Sequence, residues 1–354
     1  MKKTILYFYI SKATFVAKDI SILQEKFNII EFEFDTRKKK IIPFLFLKQL
    51  FFIIFFSFKT EIFIVQFASF HSFIPSLIAL IFKKKCFIIV GGTDCVSYPS
   101  IKYGNFSKPL LSWFTKYSLK MCTKIIAVHS SLISSINNYY GIEKEQNQGI
   151  LSFVKLSRSK ITIVHNGYDE KIFKVDESLI RNKDFITVAS GSGTLSRIKL
   201  KGIDLFIEMA NIFSDKSFTL VGAKREDLIT LGYDLPNNLE IISFVPNAQL
   251  PKLYSQNKYY VQLSISEGFP NALCEAMLCE CVPIVSLVAS MPEIIGNTGY
   301  ILHNRDNEQL SILLKKILTT ARNGKECRKN ILNKYPVSSR KSQLIGEILN
   351  NEAN

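Results

Sequence analysis

The residues of this chain best suited to chemistry are two glutamates, Glu267 and Glu275, which stand eight positions apart in the segment SEGFPNALCEAM. The surrounding pattern predicts a strand over 259–265, a turn, a helix over 272–278 and a second strand over 283–288. In a parallel sheet such a turn lies at the carboxyl edge, where ligands bind, and the helix directs free N–H groups into the same space. The segment therefore predicts two carboxylates beside an anion site. The alternative is that Glu275 only complements the helix dipole, worth about 0.3–1 kcal/mol, and that Glu267 is a solvated loop residue.

A second segment, GSGTLSRIKLKG at 191–202, follows a predicted strand at 185–189 and carries the cations Arg197 and Lys201. The dinucleotide pattern G-x-G-x-x-G fails here, because Ser196 stands where the third glycine belongs. We interpret the segment as a flexible loop whose two cations suit a diphosphate, with arginine acting as a planar fork and lysine as a point charge. Surface charge on a loop is the alternative, and Lys199 is expected to be a bystander.

Together these two segments resemble the retaining glycosyltransferases of the GT-B fold, specifically glycosyltransferase family 4, in which a Glu-x7-Glu motif follows an Arg and Lys pair. The family more often places its arginine five residues before the lysine, whereas here the gap is four. The resemblance implies that Arg197 and Lys201 hold the donor phosphates, that Glu275 accepts bonds from the ribose hydroxyls, and that Glu267 acts at the donor sugar as the principal catalytic candidate. It also implies further donor-binding positions, mostly through backbone N–H groups: Gly268, Phe269, Asn271, Ala272 and Leu273, with Phe244, Val245 and Pro246 matching the loop that contacts the base.

The first half of the chain carries the acceptor side in this family, and its signal is weaker. A predicted strand at 86–90 runs into Gly91-Gly92-Thr93-Asp94, where many members have a histidine beside the aspartate and this chain has Thr93. Asp94, the second catalytic candidate, either orients an acceptor hydroxyl or caps a turn. His71 and His129 are expected to be structural.

The charge of the chain is concentrated in its first half. The net charge is +15 overall, and residues 1–167 hold 23 Lys+Arg against 9 Asp+Glu, a net of +14. Lysine runs at 38–40 and 83–85 flank segments rich in Phe, Ile and Leu. This combination suits an anionic membrane surface. A nucleic-acid partner is not expected, because no nucleic-acid motif accompanies the basic residues, and a composition bias of the whole sequence is the remaining alternative.

Several classes of protein are excluded or disfavoured. The most apolar stretch, 41–58, is interrupted by Pro43, Lys48 and Gln49, so it falls short of the roughly 18–20 residues that a membrane span requires. The N-terminus lacks the small-residue cleavage site of a signal peptide. The seven cysteines are scattered and lack zinc-type spacing, so we expect no metal site and reduced, mostly buried thiols in a cytoplasmic protein.

The alternation of apolar strand-like and helix-like runs predicts an α/β protein with two Rossmann-like doubly wound domains facing a cleft, the GT-B architecture. We assign 1–167 to an N-terminal acceptor domain and 168–337 to a C-terminal nucleotide-sugar donor domain, with a C-terminal helix over 338–354 crossing back to the first. Eleven strands are expected at 4–10, 29–34, 61–67, 86–90, 124–129, 160–164, 185–189, 218–221, 239–244, 259–265 and 283–288.

The functional expectation is a cytoplasmic, membrane-peripheral hexosyltransferase that retains the donor's anomeric configuration and works without a metal or cofactor. Its donor would be a UDP- or GDP-linked nucleotide-sugar, and its acceptor a hydroxyl of a growing, lipid-linked surface glycan. The rival interpretations are a nucleotide-sugar epimerase of the same fold and a non-catalytic binding subunit that keeps the fold for partner docking.

Overall fold

The computed structural model describes residues 2–36, 39–141 and 143–350, which form two six-stranded parallel sheets, each flanked by helices. The first sheet has the strand order β2-β1-β3-β4-β5-β8. Two further strands, β6 and β7, form a small antiparallel pair outside it. The bounds are β1 Thr4–Tyr9, β2 Asn28–Glu33, β3 Ile62–Gln66, β4 Lys85–Val90, β5 Lys124–Ala127, β6 Ser135–Ile136, β7 Asn147–Gln148 and β8 Ile161–Ile163.

The second sheet has the order β11-β10-β9-β12-β13-β14, which is the Rossmann order 3-2-1-4-5-6. The inner positions of its strands are apolar and buried, for example Ile186, Leu220 and Ile284, as expected for strands covered on both faces. The bounds are β9 Lys183–Val188, β10 Phe218–Val221, β11 Leu239–Ile242, β12 Asn257–Gln262, β13 Val282–Ser286 and β14 Tyr300–Leu302. All eleven predicted strands are present within a few residues, and β14 was not predicted, because three residues give too short a pattern to recognise.

Helices connect the parallel strands in both domains. In the first they are α1 Thr14–Gln24, α2 Ile42–Ser57, α3 Phe70–Ile81, α4 Pro109–Met121 and α5 Ile150–Phe153. In the second they are α6 Leu195–Lys201, α7 Ile203–Ile212, α8 Arg225–Thr230, α9 Leu250–Gln256, α10 Asn271–Leu278, α11 Met291–Ile295, α12 Asn307–Thr319, α13 Gly324–Lys334 and α14 Val337–Asn350. The expected α/β fold with two doubly wound domains facing a cleft is therefore confirmed.

Helix α14 returns to the first domain, where Arg340 binds Asp19 of α1 through two hydrogen bonds of 2.6 and 2.5 Å. Both side chains are buried and therefore lose their contact with water. The bidentate pairing of the two charges compensates for that loss. The first sheet ends at Ile163 and the second begins at Lys183. The boundary at residue 167 stays a prediction within that interval, and residues 351–354 of the predicted helix lie outside the described residues.

The two domains also touch through loops on either side of the cleft. Asn137 of the first domain donates to the Ile265 carbonyl at 2.7 Å, and His129 contacts Glu293 at 3.0 Å. All seven cysteines are free and buried. Within the described residues, no helix has the length and apolar character needed to cross a bilayer.

Candidate active site

The candidate site lies at the point where the strand order of the second sheet reverses direction. Strands β9 and β12 are neighbours there, although their chain positions are far apart. Arg197 and Lys201 follow β9, and Glu267 follows β12. Because crevices for ligands form at such switch points, outside the carboxyl ends of the strands, the fold itself brings the two predicted segments together.

The segment carrying Arg197 and Lys201 is a helix, α6, so the prediction of a flexible loop was wrong. The Thr194 side chain accepts the backbone N–H of Arg197 at the start of the helix, and Gly202, at φ 70°, ends it in the left-handed conformation. Threonine before a helix and glycine after it are common cap residues, so Thr194 and Gly202 could have indicated the helix from the sequence. The glycines at the start of the segment favoured a loop instead. Arg197 and Lys201 are therefore four positions apart on one helix face.

Glu267 is held by three donors that all reach the same carboxylate oxygen. Its Oε1 accepts from Lys201 Nζ at 2.7 Å, Ser264 Oγ at 2.8 Å and Gln262 Nε2 at 2.9 Å. Burial alone lowers the pKa of Lys201, but the Glu267 carboxylate and the Tyr103 phenol outweigh it and leave that pKa above its usual value. Lys201 is therefore a fixed cation paired with a fixed anion.

Gln262 and Ser264 were not singled out from the sequence. They occupy alternate positions at the end of β12 and just beyond it, so they point to the same side as the strand runs into the loop. This period-two placement next to Glu267 was the available signal.

Glu275 has a different environment, although it is only eight residues away. It is 9% exposed, and within residues 2–36, 39–141 and 143–350 no donor hydrogen-bonds to its carboxylate. Burial raises its pKa from the usual 4.5 to about 7, with Lys18 of the first domain acting in the opposite direction. Burial likewise lowers the pKa of Lys18, which donates to the Gly167 carbonyl at 2.8 Å.

Each glutamate lines its own cavity between the domains. The Glu275 cavity, of about 600 Å³, is bordered by Thr14, Lys18, Tyr168, Asn247 and Asn271, among others. The Glu267 cavity, of about 400 Å³, is bordered by Arg197, Lys201, Tyr103, Gly91, Gly92, Asp94 and Gly268, among others; Lys199 borders neither. Helix α10 begins between the two, since Gly268 lines one cavity and Asn271 the other. Lys18 and Asn247 had no recognisable sequence signal.

The loop between the glutamates packs tightly against both domains. A Cβ on Gly268 would lie 1.7 Å from the Gly91 carbonyl oxygen, so only glycine allows the two strand-end loops to meet. The Phe269 ring packs 5.0 Å from that of Tyr335 and 5.8 Å from that of His165. The side chains of Phe269 and Leu273 are thus buried, and only their backbone groups are available to a ligand.

Asn271, at the first position of α10, is held by the segment that joins the domains. Its Oδ1 accepts from Tyr168 at 2.7 Å and from Asn166 at 3.2 Å. Ala272 is half-buried behind it, and Val245 is half-buried against the second core, while Phe244 is 77% exposed. Of the predicted base-contacting residues, none borders either cavity; Asn247, two positions after Val245, borders the Glu275 cavity.

Asp94 has the geometry of a turn cap. It is 1% exposed, and its carboxylate accepts the backbone N–H groups of Ala68 at 3.0 Å, Gly91 at 3.1 Å and Gly92 at 3.0 Å. Burial raises its pKa, against the lowering effect of these donors. Of the two alternatives for Asp94, these contacts match the turn cap, and the acceptor role stays a prediction.

The described histidines and acidic residues are placed apart from one another as far as metal binding is concerned. His71 is fully buried, its ring contacts the Gln66 carbonyl at 2.9 Å, and burial lowers its pKa to about 4. Throughout the part of the chain that the structure describes, no three or more His, Cys, Asp or Glu side chains cluster as metal ligands would.

Comparison with known proteins shows the fold of the chain and the family that residues 174–334 resemble. Residues 174–334 match the family described as glycosyl transferases group 1. Sucrose-phosphate synthase from Thermosynechococcus elongatus has the same fold, with a TM-score of 0.76 at 12% identity, covering 99% of this chain and 100% of that one. Anabaena HepE in complex with UDP and glucose follows at a TM-score of 0.70 and 14% identity, with the same coverage. The protein therefore has the two-domain GT-B fold.

Residues 174–334, most of the second domain, are more particularly similar to group 1 glycosyl transferases. The O-antigen chain mannosyltransferase B of Escherichia coli is 33% identical over 73 residues, which are 21% of this chain and 19% of that protein. The chain thus spans well under two thirds of that relative's length.

Proposed function

We propose that this protein is a retaining glycosyltransferase of family 4, which moves a sugar from a nucleotide-sugar donor to an acceptor hydroxyl. The observation that carries the proposal is the 2.7 Å contact between Lys201 and Glu267. It joins two segments 66 residues apart into one site that holds a cation for a leaving group and a carboxylate for a sugar.

The donor's diphosphate would bind between α6 and the start of α10. A departing nucleoside diphosphate gains negative charge, and Arg197, Lys201 and the backbone N–H groups at 268 and 271–273 would stabilise it. We propose that these two side-chain cations neutralise the charge of the diphosphate without a metal. UDP and GDP are the expected carriers.

The sugar would lie against Glu267. Because its three donors converge on Oε1, the second carboxylate oxygen remains to accept a sugar hydroxyl. Fixing a carboxylate in advance favours a transition state over a mobile ground state. We propose same-face attack by the acceptor, without a stable adduct on the enzyme, and hence retention of configuration.

The nucleoside would occupy the Glu275 cavity. A buried carboxylate with no donor is suited to accept the two ribose hydroxyls, which would offset its desolvation. Asn247 and the loop at 244–246 would lie toward the base. The cavity's volume of about 600 Å³ is within the usual range for small-molecule sites.

The acceptor would approach from the first domain, past Gly91, Gly92 and Tyr103. We propose a lipid-linked surface glycan as acceptor and an anionic membrane as partner, on the net charge of +14 over residues 1–167. Such an enzyme would work at the cytoplasmic face of that membrane.

The test is a thermal-shift screen against UDP- and GDP-sugars, followed by product analysis. A donor at 100 times its dissociation constant should add about 2.7 kcal/mol of stability. Transfer to an added acceptor, with the anomeric configuration kept, is the expected product. Interconversion of the sugar ring without transfer would identify an epimerase, and binding without any reaction would identify a binding subunit.

A further inference from the structure

The outer sides of helices α2, α3 and α4 form one apolar surface on the first domain. Three consecutive crossovers place these helices on the same side of the sheet, and their inner aromatic rings interlock, as in the 5.6 Å contact between Phe46 and Phe114. The outward side chains are strongly exposed, reaching 69% for Phe51, 76% for Phe55 and 90% for Phe58. We call this the α2–α4 face; it comprises Phe44, Leu47, Phe51, Ile54, Phe55, Phe58, Leu80, Ile81, Phe82, Leu110, Trp113 and Tyr117.

Helix α2 shows why this face cannot be explained by the fold alone. Only Leu45, Gln49 and Ile53 are buried against the domain, although nearly every residue of the helix is apolar. A helix that is apolar all round is normally covered on all sides. Among the residues that the structure describes, nothing covers the outer side, and contiguous exposed apolar surfaces of this kind mark interaction sites.

The charge around the α2–α4 face identifies its partner. Residues 39–124 contain twelve lysines and only two carboxylates, Glu61 and Asp94. Asp94 is buried, so almost no negative charge is exposed in this part of the domain. A second copy of the chain would bring one lysine-rich surface against another, which disfavours self-association. An apolar surface whose helices carry lysines or are followed by them, such as Lys48, Lys83 and Lys116, instead complements anionic lipid.

We propose that the α2–α4 face inserts into the interfacial layer of an anionic bilayer, with its lysines among the headgroups. Helix α2 has 16 residues and a length of about 24 Å, short of a hydrocarbon core of about 30 Å, so it lies in the plane of the membrane. Trp113 and Tyr117 sit at the edge of the face, where amphipathic rings favour the interface. The inference rests on the proposed contact with an anionic membrane and deepens it from adsorption to insertion, but it does not need the proposed sugar transfer.

Trp113 is the only tryptophan in the chain, so its fluorescence reports on this face alone. The experiment adds vesicles of phosphatidylglycerol and phosphatidylcholine, or of phosphatidylcholine only, to the full-length protein. We expect a blue shift of Trp113 emission and quenching by bromine-labelled acyl chains with the anionic vesicles. Binding should weaken with salt but persist in part at high salt, because buried apolar area is not screened.

The double variant Phe51→Ser and Phe55→Ser should bind anionic vesicles at least about tenfold more weakly, since each exposed phenyl ring contributes to insertion. The matched control is Ile312→Ser, a 60%-exposed apolar side chain on α12 of the second domain, which should bind as the parent does. A cooperative thermal melt without ligand shows that the double variant is folded. The shift of that melt by nucleotide-sugars, measured on the same preparations, reports separately on the proposed enzyme.

Three results would overturn the proposal. The first is vesicle binding with no change in Trp113 emission, which would mean adsorption by charge only. The second is equal binding by the double variant and the control. The third is a blue shift that appears without lipid as protein concentration rises, which would assign the face to a second copy.

Discussion

Glu267 and Glu275 are chemically identical and stand eight residues apart, yet the fold gives them opposite environments. Glu267 is anchored by three donors, one of them the Lys201 ammonium at 2.7 Å. Glu275 is buried with a raised pKa of about 7, and Lys18, the cation that lowers this pKa, belongs to the other domain. The Glu267 carboxylate is therefore held in place in the free protein, whereas the Glu275 carboxylate has no hydrogen-bond donor among the described residues.

We propose that this difference separates two tasks of one site. A fixed carboxylate can act on the reacting sugar, because its geometry needs no reorganisation during the reaction. A largely buried carboxylate that no described protein group bonds is partly desolvated in the free protein, which strengthens binding of a ligand that donates hydrogen bonds to it.

The largest effect is expected at Glu267. Replacement by Gln, which keeps the shape, should lower kcat by about 100-fold, since it removes a charge-assisted bond of about 1.5–3 kcal/mol that we assign to the bound donor sugar and expect to strengthen in the transition state. Steady-state kinetics with a donor found by the screen would measure it. The matched control is Glu293→Gln, which alters a carboxylate at the domain interface outside both cavities. Full activity of Glu267→Gln would contradict the assignment.

Glu275 should instead govern stability as a function of pH. Its pKa is raised in the folded protein, so the folded state binds a proton more tightly than the unfolded state. Stability should therefore fall as pH rises from about 4.5 to about 7, by about 3 kcal/mol in total. Glu275→Gln should remove this loss and be more stable than the parent at pH 8, but not at pH 4.5. Denaturant unfolding of the parent and of Glu275→Gln at both pH values would measure the effect. If the two proteins differed in stability by the same amount at both pH values, the raised pKa would be refuted.

The cations of α6 come next. Arg197→Ala and Lys201→Ala should each weaken binding of a free nucleoside diphosphate by about 10- to 100-fold, the loss of one charge-assisted contact. Lys199→Ala is the control, because Lys199 is an exposed cation of the same helix that borders neither cavity. Calorimetric titration separates the cases. Small and equal losses of affinity at all three positions would mean that the diphosphate does not bind at α6.

The smallest effect is expected at Ser264, which supplies one of three bonds to Glu267. Ser264→Ala should lower kcat by about fivefold, equivalent to about 1 kcal/mol, and leave nucleoside diphosphate affinity unchanged. Kinetics and titration of the same preparation measure the two quantities. A loss of nucleotide affinity without a loss of kcat would mean that Ser264 supports nucleotide binding and not the role of Glu267 in catalysis.

The sequence predicted most of the fold, because parallel strands covered on both faces are recognisable as apolar runs between helix-like segments. It also brought Arg197, Lys201 and Glu267 into one hypothesis. The contrast between the two glutamates was not accessible, since the three bonds to Glu267 and the burial of Glu275 depend on contacts between segments distant in the chain. Helix α6 was not predicted because the glycines before it favour a loop, although Thr194 and Gly202 are typical residues at the two ends of a helix. The apolar character of α2 was visible, but its exposure was not.

The most direct test of the account is a titration of Glu267→Gln and Glu275→Gln with both a nucleotide-sugar donor and the corresponding free nucleoside diphosphate. Glu267→Gln should bind the free nucleotide at least as well as the parent, because Lys201 no longer has a competing carboxylate, and should lose affinity only for the sugar donor. Glu275→Gln should lose about the same factor for both ligands, because both contain the ribose. If Glu267→Gln weakened the free nucleotide as much as the donor, or Glu275→Gln affected only the donor, the division of roles between the two glutamates would be wrong.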